Sequence, residues 1–173
     1  MLTSCSSNTD GTKSIDNGRK SPEISQDTPS FDLTKKNITT FKEQYANDVY
    51  EHQIGIKSGD FSGYSAEGGN IIAYYNDGSL LKSDITLFGE SGKQIVTILF
   101  LGDRTYYIIS LKEIYDVPDI SLTKSMIDFN LGKYILSNDK LYSYDEIGKK
   151  LTLIKANDLD YSSIVNQVIS NYE

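Results

Sequence analysis

The sequence predicts an α+β domain, an antiparallel meander of six to seven strands with an N-terminal and a C-terminal helix packed on it. Three observations predict this. Between Asn70 and Tyr115, short apolar runs alternate with turn dipeptides at hairpin spacing. On either side of the strand-rich region, apolar residues recur at helical spacing. The chain of 173 residues holds 13 Tyr and no Trp, a composition biased towards strands.

In the first helical segment, from Asp32 to His52, the residues Ile38, Phe41, Tyr45 and Val49 fall on one stripe. Thr40 with Glu43 is a candidate capping box, which would start the helix near Thr40 rather than Asp32. Residues 55–69 carry Gly55, Gly59, Gly63, Gly68 and Gly69 and read as a long loop with room for one short strand around Ile54–Ile56. Four strands follow at Asn70–Tyr75, Leu80–Phe88, Lys93–Leu101 and Arg104–Tyr115. Asp77-Gly78, Gly89-Glu90-Ser91-Gly92 and Gly102-Asp103 join them. Val117-Pro118-Asp119 ends this run, because proline cannot donate to a central ladder. Further strands are expected at Ile127–Leu136, Leu141–Tyr144 and Leu151–Lys155. A last helix is expected from about Leu159, with Ile164, Val165, Val168, Ile169 and Tyr172 as its stripe and Asn157 or Asp158 as its cap.

Turn lengths fix register, and register assigns faces. A two-residue turn at Asp77-Gly78 and another at Gly102-Asp103 predict a core face holding Ile72, Tyr74, Leu81, Ile85, Leu87, Val96, Ile98, Phe100, Tyr107, Ile109 and Leu111. The opposite face then gathers Tyr75, Lys82, Asp84, Arg104, Tyr106 and Lys112 beside Ile71, Phe88, Ile95, Leu99 and other residues. Amphipathic tyrosine interleaved with charge is the composition of recognition surfaces. These six residues are the expected ligand contacts if the face is open. The alternative is that a terminal helix or the 55–69 loop covers them.

The net charge of −7 and pI near 4.7 argue against nucleic acid as a partner, since binding phosphates needs a basic surface. No apolar run approaches the roughly 18–20 residues of a membrane-spanning helix. One Cys excludes an intrachain disulfide. Leu2-Thr3-Ser4-Cys5 resembles a bacterial lipobox, in which the Cys is lipidated and becomes the mature N-terminus. Only Met1 precedes it, so a basic and then apolar leader of about 15–20 residues is expected upstream. Residues 4–30 are rich in Ser, Thr, Asn, Asp and Gly, with Pro22 and Pro29, and read as a disordered tether. The expected organisation is a lipobox remnant and tether over 1–30 and a single domain over 31–173. The expected location is the bacterial cell envelope, lipid-anchored or secreted, with the membrane contacted through the lipid anchor alone.

No segment carries a chemical signature. Gly89-Glu90-Ser91-Gly92-Lys93-Gln94 superficially resembles a phosphate-binding loop, but Leu87 stands where that motif needs Gly and Gln94 where it needs Ser or Thr. It also joins two strands, so no helix N-terminus faces a phosphate. The one His, His52, sits at a helix end where the helix dipole favours it; alone it builds no zinc site, and a serine triad using it would lack a Ser in a Gly-x-Ser-x-Gly elbow. Neither a metal nor a cofactor is therefore expected. Glu67, Glu90, Glu113, Asp116 and Asp119 lie in or near loops, which leaves a two-carboxylate hydrolase of surface polymers as an alternative. The Asp139–Asp145 region lacks calcium-loop spacing.

Glu67-Gly68-Gly69, Tyr74-Tyr75, Leu81-Lys82, Gly89-Glu90-Ser91-Gly92-Lys93, Tyr106-Tyr107 and Tyr115 with Pro118 together resemble a pattern in a loosely defined set of small bacterial secreted proteins, often lipoproteins. The likeness spans roughly residues 67–118. It implies export and a helix-plus-meander fold, and it implies no activity. The expected function is a non-catalytic binding module for an unknown protein or glycan, with a structural role in an envelope assembly as a further alternative.

Overall fold

The computed structural model describes residues 28–115, 126–155 and 159–172. Cys5, the tether up to residue 27, Asp116, Pro118, Asp119, Asn157 and Asp158 lie outside the described residues.

Alternating apolar and polar residues produce eight strands: β1 (Gly55–Asp60), β2 (Gly69–Asn76), β3 (Ser79–Gly89), β4 (Gly92–Phe100), β5 (Thr105–Tyr115), β6 (Met126–Ser137), β7 (Lys140–Asp145) and β8 (Lys150–Leu153). They form one sheet in sequential order, every neighbour antiparallel. The count is eight rather than six to seven because Gly55–Asp60 is a full edge strand paired with Asn70–Tyr75. The glycines there obscured its alternation.

Helix α1 (Phe31–Tyr50) precedes the sheet and helix α2 (Tyr161–Tyr172) follows it. They cover opposite faces. α2 buries Tyr161, Ile164, Val165 and Val168 against Ile71, Ala73, Tyr75, Ile85, Val96, Ile98 and Ile108. α1 sets Ile38, with Phe31 and Phe41, against Leu99, Tyr107, Ile135, Tyr142 and Tyr144. Phe31 stacks on Tyr144 of β7 at 5.2 Å, and Tyr45 meets the Tyr74 ring of β2 edge-on at 6.2 Å. α1 therefore crosses the strands from β7 to β2.

α1 starts at Phe31 behind Ser30, whose side chain makes no capping bond. The Thr40–Glu43 box lies in mid-helix and does not start it. The buried position near its end is Asp48, which accepts from Gln44 Nε2 at 2.7 Å, while Val49 is 47% exposed. His52 ends the helix at φ 58°, its N–H donating to the Val49 carbonyl. At α2 the cap is Asp160, which accepts from the Ser163 N–H at 3.1 Å and the Ser163 hydroxyl at 2.8 Å.

Two irregularities overturn the face assignment made from turn lengths. A bulge between Tyr74 and Tyr75 pairs Tyr75 with Leu80 but Tyr74 with Lys82, which moves Ile71, Ala73 and Tyr75 onto the side of Ile85. The turn after β4 has three residues, Gly102, Asp103 and Arg104, all at positive φ, closed by the Leu101 N–H donating to the Thr105 carbonyl. One extra residue inverts every side chain of β5. Tyr107 and Ile109 therefore face α1, while Tyr106, Ile108 and Ser110 face α2.

Candidate functional site

The six residues expected on one face are distributed over both. Tyr75 is 7% exposed beneath α2 and donates its hydroxyl to the Tyr172 carbonyl at 2.6 Å. Tyr106 is half-buried on the same side, edge-on to Phe100 at 5.5 Å. Lys112 shares that face and is exposed, at the end of the sheet beyond α2. Lys82 and Asp84 are on the α1 face. Arg104 lies in the turn, with its guanidinium 3.0 Å from Asp139, an exposed pair worth little.

Only Lys82 and Asp84 come together. Their charged groups are 2.7 Å apart, and the Thr97 hydroxyl donates to the other Asp84 oxygen at 2.7 Å. The Lys82 ammonium sits 4.7 Å from the Tyr74 ring centre and 5.9 Å from that of Tyr45. Burial, reinforced by Asp84, pushes the Tyr74 phenol up to about 12. The lysine thus satisfies an aromatic cage made by α1 and β2 with a cation from β3. The contacts are internal, and they tie α1 to the sheet.

The accessible chemistry lies at the other end of the α1 face. Cross-strand rows there read Phe88, Lys93, Glu113, Phe129 and, one step nearer the helix, Thr86, Ile95, Leu111, Leu131. Phe88 is 40% exposed, Phe129 59% and Leu131 52%. With strands about 4.8 Å apart, the rows span about 14 Å. Glu113 holds the centre, 3.2 Å from the Lys93 ammonium and accepting from the Tyr115 hydroxyl at 2.8 Å. The bond to Glu113 is also what raises the Lys93 pKa most, against the lowering effect of its own desolvation. The signal for this patch was present in the alternation of β3–β6, but the inverted β5 separated Leu111 from Ile95 and hid it.

The reverse side of this sheet end mixes polar and apolar side chains. A cleft of about 320 Å³ runs between Tyr64 and the β3–β4 hairpin, floored by Leu87, Gln94, Lys112 and Ile114. The Gln94 amide donates to the buried Ser110 hydroxyl at 2.8 Å. Gly92 passes so close to the Glu113 carbonyl that a Cβ would collide with it, so the hairpin admits no side chain there.

Of the carboxylates with catalytic potential in the sequence, Glu113 is held by Lys93 and Tyr115, while Glu67 and Glu90 are exposed. Asp145 Oδ1 accepts the N–H groups of Ile147 and Gly148 within its own turn. Among the described residues no three of His, Cys, Asp and Glu gather in a metal-binding group, and no helix is long and apolar enough to cross a membrane. No protein-family model matches the chain, and neither a curated protein nor a solved structure is significantly similar to it.

Proposed function

We propose that the protein is a non-catalytic binding module of the bacterial cell envelope, tethered through lipidated Cys5, and that it binds a protein partner on the uncovered half of its α1 face. The exposure of Phe88, Phe129 and Leu131 on one face, around the Lys93–Glu113 pair, carries this reading. Large apolar side chains around a satisfied ion pair suit a partner that brings its own apolar surface.

The experiment compares capture from the native envelope fraction by the immobilised full chain and by a Phe88→Ser/Leu131→Ser variant. Thermal melting of both proteins verifies that the fold is kept. The expected result is a partner retained by the parent and weakened about tenfold or more in the variant, since central apolar contacts each contribute about 1–2 kcal/mol. Equal retention by both proteins would place the binding surface elsewhere. Fatty-acid labelling that persists in Cys5→Ser would overturn the anchor.

A further inference from the structure

Among the described residues, the outer edge of β6 has no strand partner along most of its length. β7 pairs only with Tyr134–Ser137, so among the described residues Met126–Lys133 have β5 as their one strand neighbour. Beyond Ser143 the β7–β8 hairpin peels away, leaving a cleft of about 540 Å³ between Leu131 and Lys133 on one side and Tyr144 and Glu146 on the other. The Phe129 N–H identifies which groups face outwards, because it is taken up by the carboxylate of its own neighbour, Asp128, at 2.7 Å. Backbone directions alternate along the regular part of the strand, so Phe129 and Leu131 both present N–H and C=O to the open side, while the register shift opposite Ile114 and Tyr115 leaves Ile127 as an extra residue outside this alternation. An exposed edge of this kind is a template for another strand.

We propose that this edge is the interface of a symmetric homodimer, in which the stretch of β6 around Phe129 pairs antiparallel with its counterpart about a two-fold axis at Phe129. The stretch is self-complementary in three respects. Phe129 lies on the axis with its N–H and C=O turned outwards, so it exchanges both bonds with its own counterpart. On the α2 face Asp128 then lies opposite Asn130 of the second copy, and Asn130 is paired with Lys112 within its own sheet. Lys112 and Asp128 of opposite copies are therefore two strands apart, about 10 Å between backbones, a gap that a lysine and a carboxylate bridge. Lys112 is exposed and has no carboxylate partner among the described residues. Asp128 is released when the Phe129 N–H turns to the carbonyl of the second copy. On the α1 face the Phe129 rings meet and join the two apolar patches.

The next register, with Asn130 on the axis, moves Asp128 out of line with Lys112 of the second copy and runs Met126 into the place of Ser143, so Phe129 is the favoured axis. A single strand pair is a small interface, which makes the dimer weak and its dissociation constant micromolar or higher. The dimer stands apart from the proposed partner docking and does not require it.

Sedimentation equilibrium of the full chain, from micromolar to near-millimolar concentration, tests this. A reversible monomer–dimer equilibrium is expected. Lys112→Glu or Asp128→Lys alone should weaken it by about tenfold, through lost attraction and new repulsion at two symmetric positions. The double variant Lys112→Glu/Asp128→Lys should return it to near the parent value. Phe129→Pro, which removes an outward N–H and leaves the β5 ladder intact, should abolish it. A monomer at every concentration would overturn the proposal, as would a dimer indifferent to Phe129→Pro or single charge reversals that the double variant does not rescue. Since the charged pair is on the face opposite Phe88, loss of the dimer with partner capture intact separates this inference from the proposed function.

Discussion

Replacing Tyr75 distinguishes a tyrosine that holds the fold from one that meets a ligand. Its ring is 7% exposed between Leu80 and the end of α2, with the Lys57 ammonium 4.6 Å from the ring centre. Its hydroxyl, 2.6 Å from the Tyr172 carbonyl, satisfies one of the last-turn acceptors that an α-helix cannot satisfy itself. Tyr75→Phe keeps the ring and removes this one bond, at a cost of about 1 kcal/mol. Tyr75→Ala removes the ring as well and leaves a cavity under α2, for a total of about 3–5 kcal/mol. In a domain of this size, at about 2–4 °C per kcal/mol, thermal melting should fall by about 3 °C for Phe and about 10 °C for Ala. There is also an alkaline signature. Burial, then Tyr172, holds the phenol above its ordinary 10.0. The unfolded chain therefore releases this proton first, so the associated stability is intact below pH 10.0 and is lost as pH rises through the raised value. Tyr75→Phe should flatten that loss. If Tyr75→Ala melts with the parent while partner capture disappears, the ring is an accessible contact and its structural role is refuted.

Two further substitutions test the packing by other routes. Ser83 is fully buried opposite Ala73, and its hydroxyl has no hydrogen-bond partner among the described residues, so Ser83→Ala should stabilise by about 1 kcal/mol in urea unfolding; a loss of stability would mean that the hydroxyl is satisfied. Asp160→Ala should cost about 1 kcal/mol at neutral pH by uncapping α2. The bonds from Ser163 hold that carboxyl below its ordinary 3.8, so the cap is fully present above that value and its contribution falls away as pH drops through the lowered one. A penalty equally large at pH 2 would show that the charge is not what caps the helix.

What was legible in the sequence is what depends on local pattern. Asp77-Gly78 adopts φ of 49° and 78°, the pair of left-handed residues that a two-residue hairpin demands, and the meander order follows from such turns. What was not legible depends on a single inserted residue. The bulge at Tyr74/Tyr75 and the third turn residue, Arg104, each reverse a strand's faces, and neither leaves a compositional trace. Arg104 at φ 53° is the sharper case, because a position that favours Gly or Asn is filled by a residue that resembles the start of a strand. Both errors fell on the site, since a surface proposal is a statement about which side chains share a face. β1 was obscured because Gly55 and Gly59 occupy strand positions.

The uncovered end of the sheet follows from a mismatch of lengths. α1 has 20 residues, about 30 Å of helix, enough to cross about six strands. A helix is only about 10 Å wide, however, and β3, β5 and β6 have 11, 11 and 12 residues, about 36–40 Å of strand. The middle strands must therefore extend well beyond both helices. If that overhang were merely solvated, alternation would place polar residues on both of its faces. The α1 face is not polar throughout: around Thr86 and the Lys93–Glu113 pair it carries Phe88, Ile95, Leu111, Phe129 and Leu131, whereas Gln94, Lys112 and Asn130 sit with Leu87 on the α2 face. A cluster of large apolar side chains on one face is typical of a sheet covered on that side, and among the described residues neither helix reaches over it.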